Sequence, residues 1–126
     1  MVSLYPDQRF VIDHIAKPDI KGKGIQSWEK GIRKIAQYPN VYCKLSGMFT
    51  EADWQHWKAD DFIPYMDVVF NTFGTDRVMF GSDWPVCLLA ASYQQSFDVL
   101  QQYLKQLSAE EKAKVMGLNA QNFYRL

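Results

Sequence analysis

The chain has 126 residues, 48% hydrophobic and 22% charged, with 14 basic side chains against 14 acidic ones and a formal net charge of zero. That is the size and composition of one soluble globular domain. The balance excludes a polyanion such as nucleic acid as partner, because phosphate binding needs an excess of cations on one face.

The most basic stretch, KPDIKGKG, is short and broken by Pro18, Gly22 and Gly24, which marks a solvated loop. No apolar run approaches the ~20 residues that a bilayer requires, so no membrane association is expected. The opening MVSLYPDQRF lacks the basic and apolar regions of a secretory signal. Cys43 and Cys87 are too few for a disulfide scaffold. A cytoplasmic protein with two reduced structural thiols is expected.

Phe10-Val11-Ile12, entered from a Pro6-Asp7 turn, suits a strand buried on both faces. Asp13 and His14 follow it directly. After a Pro/Gly loop, Ser27 is the expected cap of a helix carrying Trp28, Ile32, Ile35 and Ala36, stopped by Pro39-Asn40. Val41 to Leu45 is the second strand, closed by Ser46-Gly47. The polar, Trp-rich TEADWQHWKADD precedes a helix capped by Asp60 or Asp61, lined by Phe62, Tyr65, Met66, Val69, Phe70 and Phe73, and ended by Gly74. Arg77 to Phe80 is the third strand, closed by Gly81-Ser82-Asp83. Ser92 opens a helix whose stripe of Phe97, Leu100, Leu104 and Leu107 belongs to the core. Ser108 with Glu111 forms a capping box for a short helix closing at Gly117, and NAQNFYRL adds a last helical turn or two.

Strands starting near residues 10, 41 and 77, each gap holding a helix, describe a βα repeat with parallel strands. All three end in polar residues, and parallel α/β folds bind ligands at the carboxyl ends of their strands. Three units fall short of a closed barrel, which takes ~250 residues. The expected fold class is therefore α/β, a partial (β/α)8 TIM barrel. Residues 1–126 form one domain, the C-terminal half of a larger barrel or a half-barrel that pairs with another copy.

VIDHIAKPDI, YCKLSGMFTEADW, DRVMFGSDWPVCLLAASY and the terminal NAQNFYRL together resemble the C-terminal half of the amidohydrolase-related lactonases, a branch that includes enzymes of sugar-acid lactones and pyrone-dicarboxylate lactones. The resemblance covers essentially the whole chain, and the order DHxAKP, KLSG, FGSDWPV carries its specificity. It implies an amidohydrolase-type hydrolase of carbohydrate metabolism, acting on a small-molecule lactone. It also implies catalytic roles for His14, a strand-end histidine facing the active centre, and for Asp83, which acts on the hydrolytic water. In metal-dependent members both would be metal ligands. The family's His-x-His pair of the first barrel strand is missing here, where His14 and His56 are the two histidines. A catalytic zinc takes three protein ligands, and His14 with Asp83 supplies two. A divalent metal such as zinc is thus expected in a complete enzyme at most, and no tight metal binding by this chain alone.

Lactone hydrolysis needs water, a base for its proton, and donors for the oxyanion. Asp83 is either that base or the cap of a turn after Gly81-Ser82. His14 is a metal ligand, oxyanion donor or substrate contact, or else a core histidine satisfied by a backbone carbonyl, with Asp13 orienting it. Lys44 either binds a substrate carboxylate or hydroxyl or pairs with a neighbour. Trp84 is expected to line the pocket floor and bind substrate. Trp54, Trp57 and His56 are a lid over a sugar ring or a solvent-side loop. An amidohydrolase-type decarboxylase and a catalytically inactive half-barrel are the rival functions, and self-association or pairing with a missing N-terminal half is the expected partnership. GKGIQSW does not have P-loop spacing, and GSDWP is not a serine nucleophile elbow.

Overall fold

A computed structural model describes residues 1–126. Three short strands, β1 (Phe10–Ile12), β2 (Val41–Leu45) and β3 (Val78–Phe80), form one parallel sheet in the order β1-β2-β3. Phe10 pairs with Val41 and Ile12 with Cys43, while Cys43 pairs with Val78 and Leu45 with Phe80. Helices α1 (Gln26–Ile35) and α2 (Ile63–Phe73) are the two crossovers, and α3 (Tyr93–Leu104), α4 (Ala109–Ala113) and α5 (Asn119–Tyr124) follow β3. No helix is long and apolar enough to cross a membrane.

Strand alternation decides what faces what. On β2, Val41, Cys43 and Leu45 are buried and join Ile32 of α1 and Tyr65, Met66, Val69 and Phe73 of α2 in one core of 21 buried residues. Each such burial contributes roughly 1.5–3 kcal/mol. The intervening Tyr42 and Lys44 point to the opposite face, where Tyr42 meets Phe123 edge-on at 4.9 Å. That second face, bare of α1 and α2, is the one a barrel would turn inward.

Several elements depart from expectation for identifiable reasons. β1 is half-buried along its whole length, not buried on both faces: β2 is its main packing partner, whereas β3, also at an edge, is covered by the chain's last helices and buried. Ser27 lies inside α1, which begins at Gln26 without a side-chain cap. Asp61 accepts the Lys58 N–H in a tight turn over Ala59–Asp61, and α2 starts at Ile63 with Pro64 in its first turn. Gly117 does not stop the chain's last helix. A π turn over Lys114–Leu118 joins α4 to α5, and the extra residue per turn brings both Val115 and Asn119 inward. Asn119 then donates to the carbonyls of Thr75 and Val78, at 2.7 and 2.8 Å, and so fixes the start of β3. The other caps form as the sequence implies. Gly74 ends α2 at φ 67°, and Ser92 and Ser108 each accept the backbone N–H three residues on.

At the amino ends of the strands, the Arg77 guanidinium donates to the carbonyls of Ala36, Tyr38 and Val41 at 2.9–3.0 Å. It ties α1, β2 and β3 into one unit far from the polar ends. Arg77→Ala should therefore lower stability by about 3 kcal/mol, read as a fall in the urea midpoint at unchanged slope; an unshifted midpoint would show that the clamp carries no load. Cys43 and Cys87 are both free and buried, and burial pushes the Cys43 thiol up to about 12. Neither thiol should react with a disulfide reagent near pH 8 until denaturant is added, when two equivalents should be released.

Candidate active site

The three strands run in register, so the residues just past their carboxyl ends arrive at one level. Asp13 and His14 follow β1, Ser46 and Gly47 follow β2, and Gly81 to Asp83 follow β3. At the end of β1 the chain does something unusual. His14, Ile15, Ala16 and Lys17 all adopt left-handed backbone conformations, with φ from 46° to 62°. For residues with a Cβ, each such conformation costs on the order of 1–2 kcal/mol. Surrounding contacts hold the turn: Ile15 is fully buried, its carbonyl accepts the Trp28 indole N–H at 2.7 Å, and Lys17 pairs with Glu51 at 3.3 Å. The result projects the His14 ring across the end of β2.

There the ring rests on bare backbone. Gly47 has φ 67°, and a Cβ at that position would lie 2.7 Å from the His14 side chain. Glycine is required here both by conformation and by the close approach. On one side of the ring, Nδ1 is 2.8 Å from the Ser46 hydroxyl. On the other, Nε2 lies 3.5 Å from Asp83 Oδ1 and 3.4 Å from Asp13 Oδ2. Asp13 reaches onward with its second oxygen to Lys44 Nζ at 3.4 Å. Burial alone would lower the Lys44 pKa, but hydrogen bonds and attraction from Tyr124 and Asp13 outweigh it and the ammonium is held raised.

Asp83 itself sits at φ 56° in the turn that leaves β3. Its carboxylate does not cap that turn. Ser82 does so, accepting the Trp84 N–H at 3.2 Å, which leaves the Asp83 side chain facing His14 with 14% of its surface exposed. The Trp84 indole that follows is 63% exposed. Val86, Leu88 and Leu89, in the turn after it, are exposed as well.

Of the Trp-rich loop, Trp57 is structural. It packs between Phe49 and Phe62 and donates to the Ala90 carbonyl at 2.8 Å, joining the loops that follow β2 and β3. Trp54 is half exposed and bonded to the Thr50 carbonyl, and His56 is exposed beside Asp53 at 3.3 Å. His56 therefore stands apart from His14.

Four of the five polar groups at the strand ends were legible as candidates: Asp13, His14, Lys44 and Asp83. Ser46 was visible in the sequence merely as a strand terminator, as was Gly47. The signal that would have distinguished them is a small-residue pair at the level of two flanking acid and imidazole groups.

The residues present do not by themselves make a metal centre. His14 Nε2 and Asp83 Oδ1 are two convergent donors, and nowhere do three His, Cys, Asp or Glu side chains gather to hold an ion. A catalytic zinc takes three protein ligands.

The amidohydrolase family pattern matches residues 1–126. An L-fucono-1,5-lactonase of Burkholderia multivorans is 40% identical over 126 residues, covering 92% of this chain and 43% of that protein. A crystal structure of a Burkholderia multivorans amidohydrolase with bound HEPES superposes with a TM-score of 0.91 at 36% identity, covering 98% of this chain and 47% of that one. A second, with bound zinc, gives 0.90 at 37% identity over 99% of this chain and 48% of that one. The chain thus spans less than half the length of these relatives, and its three βα units are an arc of their barrel. With its whole length matched and its strand ends arranged as described, the chain belongs to the amidohydrolase family.

Proposed function

We propose that this chain supplies the carboxyl-terminal arc, and two central side chains, of a lactonase that opens a sugar-acid lactone with water. The observation that carries the proposal is the approach of His14 Nε2 to Asp83 Oδ1 at 3.5 Å on the functional rim of the sheet. The 40% identity to an L-fucono-1,5-lactonase supports the substrate class.

In this reading Asp83 is the general base. Its carboxylate takes a proton from water as the water oxygen adds to the lactone carbonyl carbon. The ring C–O bond then breaks, and the proton held on Asp83 passes to the departing ring oxygen, giving the open hydroxy acid. His14, whose Nε2 lies 3.5 Å from Asp83 Oδ1, holds that carboxylate in place beside the reacting water. Lys44, charged and on the inward face of β2, offers a donor to a carbonyl or hydroxyl oxygen of the substrate. Trp84 on the rim presents an aromatic face to an apolar sugar-ring face.

The same proposal assigns the rest of the barrel to a further βα segment that pairs with the open edges of β1 and β3. It also assigns the enzyme to carbohydrate metabolism in the cytoplasm, in keeping with two free, buried thiols. The zinc-bound relative supports a divalent metal in the complete site, with His14 and Asp83 as two of its donors and the remainder from outside these residues. When bound, such an ion polarises a carbonyl or a water; none of the proton transfers assigned here passes through it.

A chimera tests the proposal directly. This chain is substituted for the matching 43% of the Burkholderia multivorans lactonase, and folding is checked by circular dichroism. The folded chimera should hydrolyse L-fucono-1,5-lactone, and Asp83→Asn should reduce turnover at least ~100-fold, the scale of a general base. A folded chimera inactive on five- and six-membered sugar lactones, or an Asp83→Asn variant within a few-fold of the parent, would remove the assignment.

A further inference from the structure

From Trp84 to Phe97 the chain carries no charged side chain, although 22% of its residues are charged overall. Within that stretch, Val86–Leu89 form a single 3-10 turn shortly after Asp83. Residues three apart eclipse in such a turn, so Val86 and Leu89 stack on one side, with Cys87 and Leu88 on the two others. Cys87 is turned inward at 2% exposed, while Val86, Leu88 and Leu89 are 50%, 54% and 57% exposed. The turn is firmly held. The Cys87 N–H donates to the Asp83 carbonyl at 2.8 Å, the Leu88 N–H to the Pro85 carbonyl at 3.1 Å, and the Ala91 N–H to the Cys87 carbonyl at 3.0 Å. Trp57, from the loop after β2, donates to the Ala90 carbonyl at 2.8 Å. Three aliphatic side chains are thus kept in water by a fixed backbone, without the burial that such groups gain in a core.

Their position says what covers them. The turn packs against the loop after β2 and the start of α3, so its covered side looks back toward β2. β3 is the last strand in the order β1-β2-β3, and its other edge is unpaired. The uncovered side of the turn therefore looks across that free edge. A relative that superposes on 98% of this chain has more than half of its own length outside the match, so a further βα unit is available to pair there. Parallel pairing brings the residues beyond neighbouring strands to one level, as it does for β1, β2 and β3, and the loop of that unit comes level with the turn. We propose that Val86, Leu88 and Leu89 are a docking surface for the loop after the barrel strand that pairs with β3, an apolar segment of the remaining chain. Depletion of charge and pre-organised apolar anchors mark the core of an interface. A second copy would have to add its own β1 to the same edge, a head-to-tail contact that leaves another free edge behind. The inference rests on reading the chain as an arc of a larger barrel, not on the chemistry of its site.

The test makes one change in two settings, the 126-residue chain and the chimera described above. The double substitution Leu88→Asp/Leu89→Asp is introduced into both, each protein is unfolded in urea, and the chain is also run on a sizing column. In the chain alone the midpoint should stay put, because both side chains already stand in water. In the chimera the same change should lower the midpoint by at least ~1 M or abolish folding, since two carboxylates would be buried. Leu88→Met/Leu89→Met, which keeps the surface apolar, should match the parent in both. A chimera indifferent to the Asp substitutions would overturn the proposal, and so would an equal loss of stability in the two settings. A chain that elutes as a dimer and becomes monomeric with the Asp substitutions would overturn it by making a second copy the occupant. A parental chimera that does not fold would count against it too, because the two matching surfaces would then have failed to meet. Turnover is not read: a folded, inactive chimera that loses stability with the Asp substitutions removes the lactonase proposal and leaves this surface standing.

Discussion

Parallel register is the constraint from which the rest of this structure follows. Ile12, Cys43 and Val78 share one row of the sheet, and Leu45 pairs with Phe80 two residues further on. Because the strands point the same way, the first residues beyond them converge from three separate stretches of chain. An imidazole, a hydroxyl and a carboxylate that lie more than thirty residues apart in sequence thereby come within hydrogen-bonding or ion-pairing distance. A slip of one residue in β2 would exchange its two faces. Lys44 would then be driven into the helix layer and Cys43 turned toward the site. The apolar run of Val41, Cys43 and Leu45, packed on α1 and α2, is what forbids that slip.

The two ends of the sheet divide the work. At the amino ends, Arg77 and Asn119 satisfy strand and helix carbonyls and make the arc a unit. At the carboxyl ends the backbone is forced into conformations that oppose folding, with four successive left-handed residues after β1 and another at Asp83. Such geometry persists only where packing over-determines it. Here the buried Ile15 and the Trp28 indole hold the first turn. Stability drawn from one end sustains strain at the other, and that strain is what places His14 over Gly47.

The sequence was most legible where local pattern and tertiary role agree. Alternating Val41, Cys43 and Leu45, the Ser92 and Ser108 caps and the glycine stop at 74 are set by short-range physics, and each forms. It was least legible where tertiary packing overrides propensity. The π turn through Gly117 exists to bury Val115 and Asn119 together, and nothing local announces it. β1 is half exposed although its residues read as interior, because little besides β2 packs on it. His14 and Asp83 were readable as a pair because both end strands of a parallel sheet. Ser46 was unreadable for a different cause: its chemistry comes entirely from a ring supplied by another strand.

The central claim is that His14 and Asp83 interact, and a double-mutant cycle on stability measures it most directly. His14→Ala, Asp83→Ala and the combined variant are unfolded in urea, and the coupling is taken from the three changes. Groups in contact couple by roughly 0.5–3 kcal/mol. The structure requires a coupling of at least about 0.5 kcal/mol. Strict additivity in folded variants would mean that the two side chains do not meet, and the convergent strand ends would no longer describe a site.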